Sequence, residues 1–222
     1  AYLGSGPSGL VGNLTVGSNG ASNSLVISNG GQAYSTAVML GENAGASNNS
    51  VLVTGAGSHF NNMGNVSVGS SSTGNSLVIS DGGYVQSAGG QVGSNAGSGN
   101  NRVLVTGSGS FWNIMSSSDG MRVGVSGEGT LTVANGGEMS ISSFGNAGGL
   151  TLAESAGSSG TLNIGRFGTN DAAGTISTAR IAFGAGTGTI NFHPTNSTTL
   201  SGAIPGNGTV NQHGSGTTTL SA

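Results

Sequence analysis

An apolar triplet returns along this chain at a fixed interval. Leu25-Val26-Ile27, Val51-Leu52-Val53, Leu77-Val78-Ile79 and Val103-Leu104-Val105 follow one another at a constant step of 26. The series continues as Leu131-Thr132-Val133, Leu162-Asn163-Ile164 and Ile190-Asn191-Phe192, at steps of 28, 31 and 28. A second apolar signal alternates with the first: Leu14-Thr15-Val16-Gly17, Val38-Met39-Leu40-Gly41, Val66-Ser67-Val68-Gly69, Met121-Arg122-Val123-Gly124, Leu150-Thr151-Leu152 and Ile181-Ala182-Phe183-Gly184. A longer repeat lies above both. Residues 16–31 match residues 68–83 at 11 of 16 positions, a spacing of 52. A fixed period of this size marks a solenoid, a propeller or another array of stacked units.

The unit decides which array. Its apolar stretches are short, alternate with polar residues, and are punctuated by Asn-Gly-Gly, Asp-Gly-Gly and Gly-x-Gly turns, so they read as strands. No helical period appears, which removes helical repeats. A propeller blade needs about 40–50 residues and four strands, more than one unit here supplies. The chain is therefore expected to be all-β: a right-handed parallel β-helix, or β-solenoid, of about 8 coils of roughly 26 residues. Stacking at about 4.8 Å per coil makes a rod of roughly 40 Å. One coil alone buries too little apolar surface to offset the entropy of ordering its backbone, so each coil depends on its neighbours.

Composition narrows function rather than fold. Gly, Ser, Asn and Thr make up 126 of 222 residues. Eleven residues are charged: four Arg, no Lys, and seven Asp or Glu, for a net charge of −3. Four scattered cations cannot neutralise a phosphate backbone, which excludes nucleic acid as a partner. No apolar run is long enough for a transmembrane helix. Cys is absent, so there is no disulfide framework and no thiolate site. The chain begins without a signal sequence, so a leader has been removed or the chain is part of a longer one.

Residues 1–150 read as the regular solenoid and residues 151–222 as a Thr-rich continuation, with 14 of the 21 Thr from residue 151 on. Neither end reads as a cap, and the closing Thr-Thr-Thr-Leu-Ser-Ala stops in mid-pattern, so the native protein is expected to continue.

Residues 49–85, NSVLVTGAGSHFNNMGNVSVGSSSTGNSLVISDGGYV, look like the pattern V-x-V-x-G-x-G-S-aromatic, then L-x-V-G, then L-x-I-x-N-G-G. They resemble bacterial autotransporter-type surface proteins. The C-terminal stretch is similar to the segment that precedes autotransporter-associated β-strand repeats. The resemblance implies an exported right-handed β-helix passenger, displayed on the cell surface or released. It also implies that contact with the outer membrane runs only through a segment outside this chain.

β-Helices include polysaccharide-cleaving enzymes, so the carboxylates matter. They are Glu42, Asp81, Asp119, Glu128, Glu138, Glu154 and Asp171. Glycoside chemistry needs two of them about 5–10 Å apart. Asp81 takes a turn position that Asn29 and Asn135 occupy elsewhere, and Glu42 and Glu154 fall about four coils apart. His59, His193 and His213 have no metal-ligand spacing. No catalytic residue, metal site or cofactor is assigned.

Two surfaces and one corner remain as candidates. In an alternating strand the middle residue of each triplet points outward. Val26, Leu52, Val78 and Leu104 should therefore form an outward apolar ladder, a contact surface for another copy or a partner. The other outward row is polar: Thr15, Ser67, Gln91, Arg122 and Thr151. Tyr34, Phe60, Tyr84, Phe111 and Trp112 fall near corresponding corners, where aromatic rings could stack on glycans. Asn29, Asp81 and Asn135 should hold the left-handed turns and form a hydrogen-bonded ladder along the rod. The expected function is a non-enzymatic, extracellular, structural or adhesive bacterial β-solenoid that self-assembles laterally or end to end. A glycan- or receptor-binding adhesin is the alternative, and a polysaccharide-acting enzyme comes third.

Overall fold

The computed structural model describes residues 2–3, 6–8, 12–115, 120–142 and 148–221, with side chains described from residue 12 on. Every described element is a strand. Three parallel sheets are visited in strict rotation. We call them A, B and C. One coil shows the pattern: Ser50–Thr54 in sheet A, His59–Asn62 in sheet B, Asn65–Val68 in sheet C. The next coil repeats it with Ser76–Ser80, Tyr84–Ser87 and Gly89–Val92. Sheet A holds nine strands and sheets B and C seven each. The chain is thus the all-β solenoid its repeat demands.

Register follows the triplets. Leu25 pairs with Val51, Val51 with Leu77 and Leu77 with Val103. The series runs on through Leu131, Leu162 and Ile190 to Val210. Outer residues of each triplet face inward and are fully buried, as at Ile27, Val53, Ile79 and Val105. The inner faces of all three sheets build one apolar core that reaches from Val16 to Leu200. Parallel strands in register put like side chains directly above one another, so every column buries the same kind of residue along the rod.

The turn from sheet A to sheet B explains the longer period of two coils. It comes in two forms that alternate coil by coil. The shorter is Asn29-Gly30, Asp81-Gly82 or Asn135-Gly136, with φ of 54°, 53° and 51° at the first residue and positive φ at the following Gly. Asn and Asp tolerate this left-handed region, and Gly enters it without strain. The longer form, in the coils between, runs Gly55 to Ser58 and Gly107 to Ser110. Ser58 and Ser110 are fully buried. Their hydroxyls accept from the backbone N–H of Gly30 and Gly82, each at 3.1 Å. A short corner thus presents a donor that the long corner beside it satisfies.

This corrects one expectation. Asn29, Asp81 and Asn135 hold the turns, but they lie two coils apart and form no ladder with one another. The reason is the alternation itself: a Gly-x-Gly corner separates each pair. Asp81 instead accepts from the Thr54 hydroxyl at 3.1 Å.

The asparagine ladder is at the other end of the sheet A strands. Asn23, Asn49, Asn75 and Asn101 keep the step of the triplets, each two positions before its own. The last three are fully buried. Asn49 Oδ1 accepts from the N–H and Nδ2 of Asn23 at 2.8 and 3.0 Å. Asn75 Oδ1 accepts the same pair from Asn49, at 3.0 and 3.1 Å. Asn101 Oδ1 does so for Asn75, at 2.9 and 3.0 Å. Gly17, Gly41 and Gly69 make room for these side chains: a Cβ on Gly69 would lie 2.0 Å from Asn101 Cγ. From the next coil on the position is Gly129, Gly160 and Gly188, and the ladder ends.

The last coils are smaller. Val210 pairs with Ile190 and Leu220 with Leu200, both at a step of 20. Thr198–Ser201 and Thr218–Ser221 leave the three main sheets and form a two-stranded sheet of their own. Ile190 and Leu200 are buried, whereas Val210 and Leu220 are 44% and 52% exposed.

Candidate functional site

Val26, Leu52, Val78 and Leu104 form one column in register on the outer face of sheet A. Each is half-buried while its triplet neighbours are buried. From the next coil the same column is polar: Thr132, Asn163, Asn191 and Asn211. These link by side-chain bonds. Asn211 Nδ2 donates to Asn191 Oδ1 and Asn191 Nδ2 to Asn163 Oδ1, both at 3.0 Å. Asn163 Nδ2 reaches Thr132 Oγ1 at 3.4 Å. One face therefore carries an apolar half and an amide half, divided between Leu104 and Thr132.

The aromatic group splits in two. Phe60 and Trp112 are fully buried in the core, and the Trp112 Nε1–H donates to Ser87 Oγ at 2.9 Å. The expectation that they contact glycans is overturned. Consecutive residues of a strand face opposite sides, so Phe111 and Trp112 cannot share a surface. Phe111 points outward with Tyr84 and His59, which is one residue before Phe60. These three pair in register on sheet B. Their ring centroids lie 5.1 Å apart for His59–Tyr84 and 5.8 Å for Tyr84–Phe111, tilted at 37° and 48°. Tyr34 is 37% exposed; it sits one column over, beside Asn61. Its hydroxyl donates to Gln32 Oε1 at 2.8 Å.

Several carboxylates have partners along the rod. Ser18 donates to Glu42 at 2.7 Å, and Arg122 reaches Glu154 at 3.4 Å. Arg166 pairs with Asp171 inside the loop after the seventh sheet A strand, Ser159–Ile164. This pairing holds the Asp171 carboxyl below its usual range and raises Arg166. Asp119 lies outside the described residues. Among the described residues, no three His, Cys, Asp or Glu stand close enough together to hold a metal ion.

Two histidines missed as a pair in the sequence come together. The step that relates Ile190 to Val210 also relates His193 to His213. Their rings stack at 5.0 Å with 11° between planes, and Phe167 meets His193 edge-on at 5.6 Å. His193 is 9% exposed, and burial, with His213 beside it, lowers its pKa.

No family model, no curated protein and no solved structure matches this chain.

Proposed function

We propose that this chain is a non-enzymatic, structural and adhesive rod of an exported bacterial surface or secreted protein, which associates side by side through sheet A. The carrying observation is the apolar column of Val26, Leu52, Val78 and Leu104, four aliphatic side chains in register on the outer face of sheet A. Four such side chains spaced about 4.8 Å apart make a flat stripe, and a matching stripe on another copy would bury it. The low charge supports the reading, since little electrostatic repulsion opposes lateral approach. So does the construction of the rod, in which backbone ladders, the buried asparagines and a continuous core all run along one axis and resist bending.

The test replaces Val26, Leu52, Val78 and Leu104 together by Ser, the kind of residue that other outward columns carry. Light scattering and electron microscopy should show laterally associated rods for the natural chain and single rods for the variant. Equal association of both, or separate rods for the natural chain at every concentration, would remove the apolar column as an interface. Surface labelling of intact cells tests export independently.

The outward column of His59, Tyr84 and Phe111 favours a second reading, an adhesin that stacks sugar rings on sheet B. Phe111→Ala should then abolish hits on a glycan array, while Trp112→Ala should act through stability alone.

A further inference from the structure

Sheet A carries a groove of about 250 Å³ where its apolar half meets its amide half. Leu104, Thr130 and Thr132 line it together with Asn100, Arg102 and, from the loop after Ser159–Ile164, Arg166. The chain has four Arg and no Lys. Two of those four cations, from coils well separated in sequence, converge on this one groove.

Arg102 breaks the repeat to be there. Its column reads Ser24, Ser50 and Ser76 in the preceding coils and Thr130 in the next. Sheet stacking thus has no need of a guanidinium at this point. Arg102 is exposed, and among the described residues no carboxylate lies within ion-pair distance of it. Arg166 differs: Asp171 already holds it, which fixes its position in the groove wall. One guanidinium is therefore anchored and the other is open to a ligand.

We infer that this groove is a binding site for an acidic saccharide, a uronic acid residue within an oligosaccharide. The planar fork of Arg102 matches a carboxylate with two parallel hydrogen bonds. Thr130 and Thr132 offer hydroxyls, and Asn100 an amide, to the ring hydroxyls. Leu104 presents an apolar floor to the C–H face of a pyranose. The inference rests on the adhesive reading; because Leu104 also belongs to the association column, its test is made on the soluble chain at a concentration where light scattering shows single rods, and does not depend on export.

Isothermal titration should be run with oligogalacturonate, with a neutral galactose oligomer of equal length, and with acetate. The acidic oligomer should bind and the neutral one should not. Arg102→Ser restores the repeat residue, so the rod should keep its melting temperature while binding falls about tenfold or more, the value of a charge-assisted contact. Arg102→Lys keeps the charge but loses the fork and should fall between the two. No binding of the acidic oligomer, equal binding of the neutral one, or indifference to Arg102→Ser would overturn the site. Acetate competing as well as the oligomer would show that only the carboxylate is read, and would overturn the saccharide assignment.

Discussion

At the scale of single residues, the most consequential side chains are polar and buried. Asn75 accepts two hydrogen bonds from Asn49 through one oxygen and passes the pattern on to Asn101. Asn75→Ala would leave the Asn49 backbone N–H without its acceptor in a fully buried site. A cost of about 2–4 kcal/mol is expected, since each buried group left unsatisfied costs about 1–3 kcal/mol. Urea denaturation would measure it. Trp112→Ala should cost about 3–5 kcal/mol through the cavity it leaves, read by the same transition. The asparagine step was present in the sequence, at 23, 49, 75 and 101. It was hidden by abundance: with 23 Asn in the chain, four at a constant interval do not stand out unless their burial is seen. The aromatics failed differently. Their shared corner was visible, but alternation separates Phe111 from Trp112, and only strict counting along the strand assigns them to opposite faces.

At the scale of elements, the strands were legible because apolar residues alternate with polar ones and return at a constant step. The corners were legible in part. Glycine and asparagine marked the turns, while the fit between short and long corners depends on atoms two coils of sequence do not name, such as Ser58 Oγ. The shorter coils at the C-terminal end went unread against the longer background period. Their ring stack carries a pH prediction. His193 has a lowered pKa in the fold because burial and the neighbouring His213 disfavour its charged form. The unfolded chain therefore binds a proton more readily. Stability from the neutral, buried His193 is fully present above about pH 6.5, the ordinary imidazole value, and is lost as pH falls below it through the lowered value. Arg166, on the loop that carries Phe167, lines the same corner and holds Asp171. Asp171 adds a separate loss at more acidic pH, because its own pKa is lowered by Arg166. Hydrogen-exchange protection factors within residues 187–221, taken against the intrinsic exchange rate at each pH, should fall between pH 7 and pH 5, and His213→Gln should reduce that fall. Protection factors that stay flat over this range would contradict the coupling.

At the scale of the whole molecule, nine strands of sheet A stacked at about 4.8 Å give a sheet roughly 38 Å from end to end. Its two halves differ in what they offer outside, and the acidic-saccharide groove sits where they meet. The class of fold was plain in the sequence because a repeat specifies stacking directly. The groove was not, because Arg102 and Arg166 meet only after two coils have closed. The alternating corners carry a further consequence, for length. Since the short corners at Gly30 and Gly82 each donate to a long one, the regular part of the chain is punctuated in pairs of coils, and its natural unit of growth is the pair rather than the single coil. Removing residues 55–80 would set two short corners side by side and strip Gly30 of the Ser58 hydroxyl. Removing residues 29–80 would bring Ser28 to Asp81 and keep the alternation. The single-coil deletion should melt well below the double, although it discards less of the protein. A rod built this way lengthens by duplication in even steps, as a zip closes only when teeth from both sides alternate.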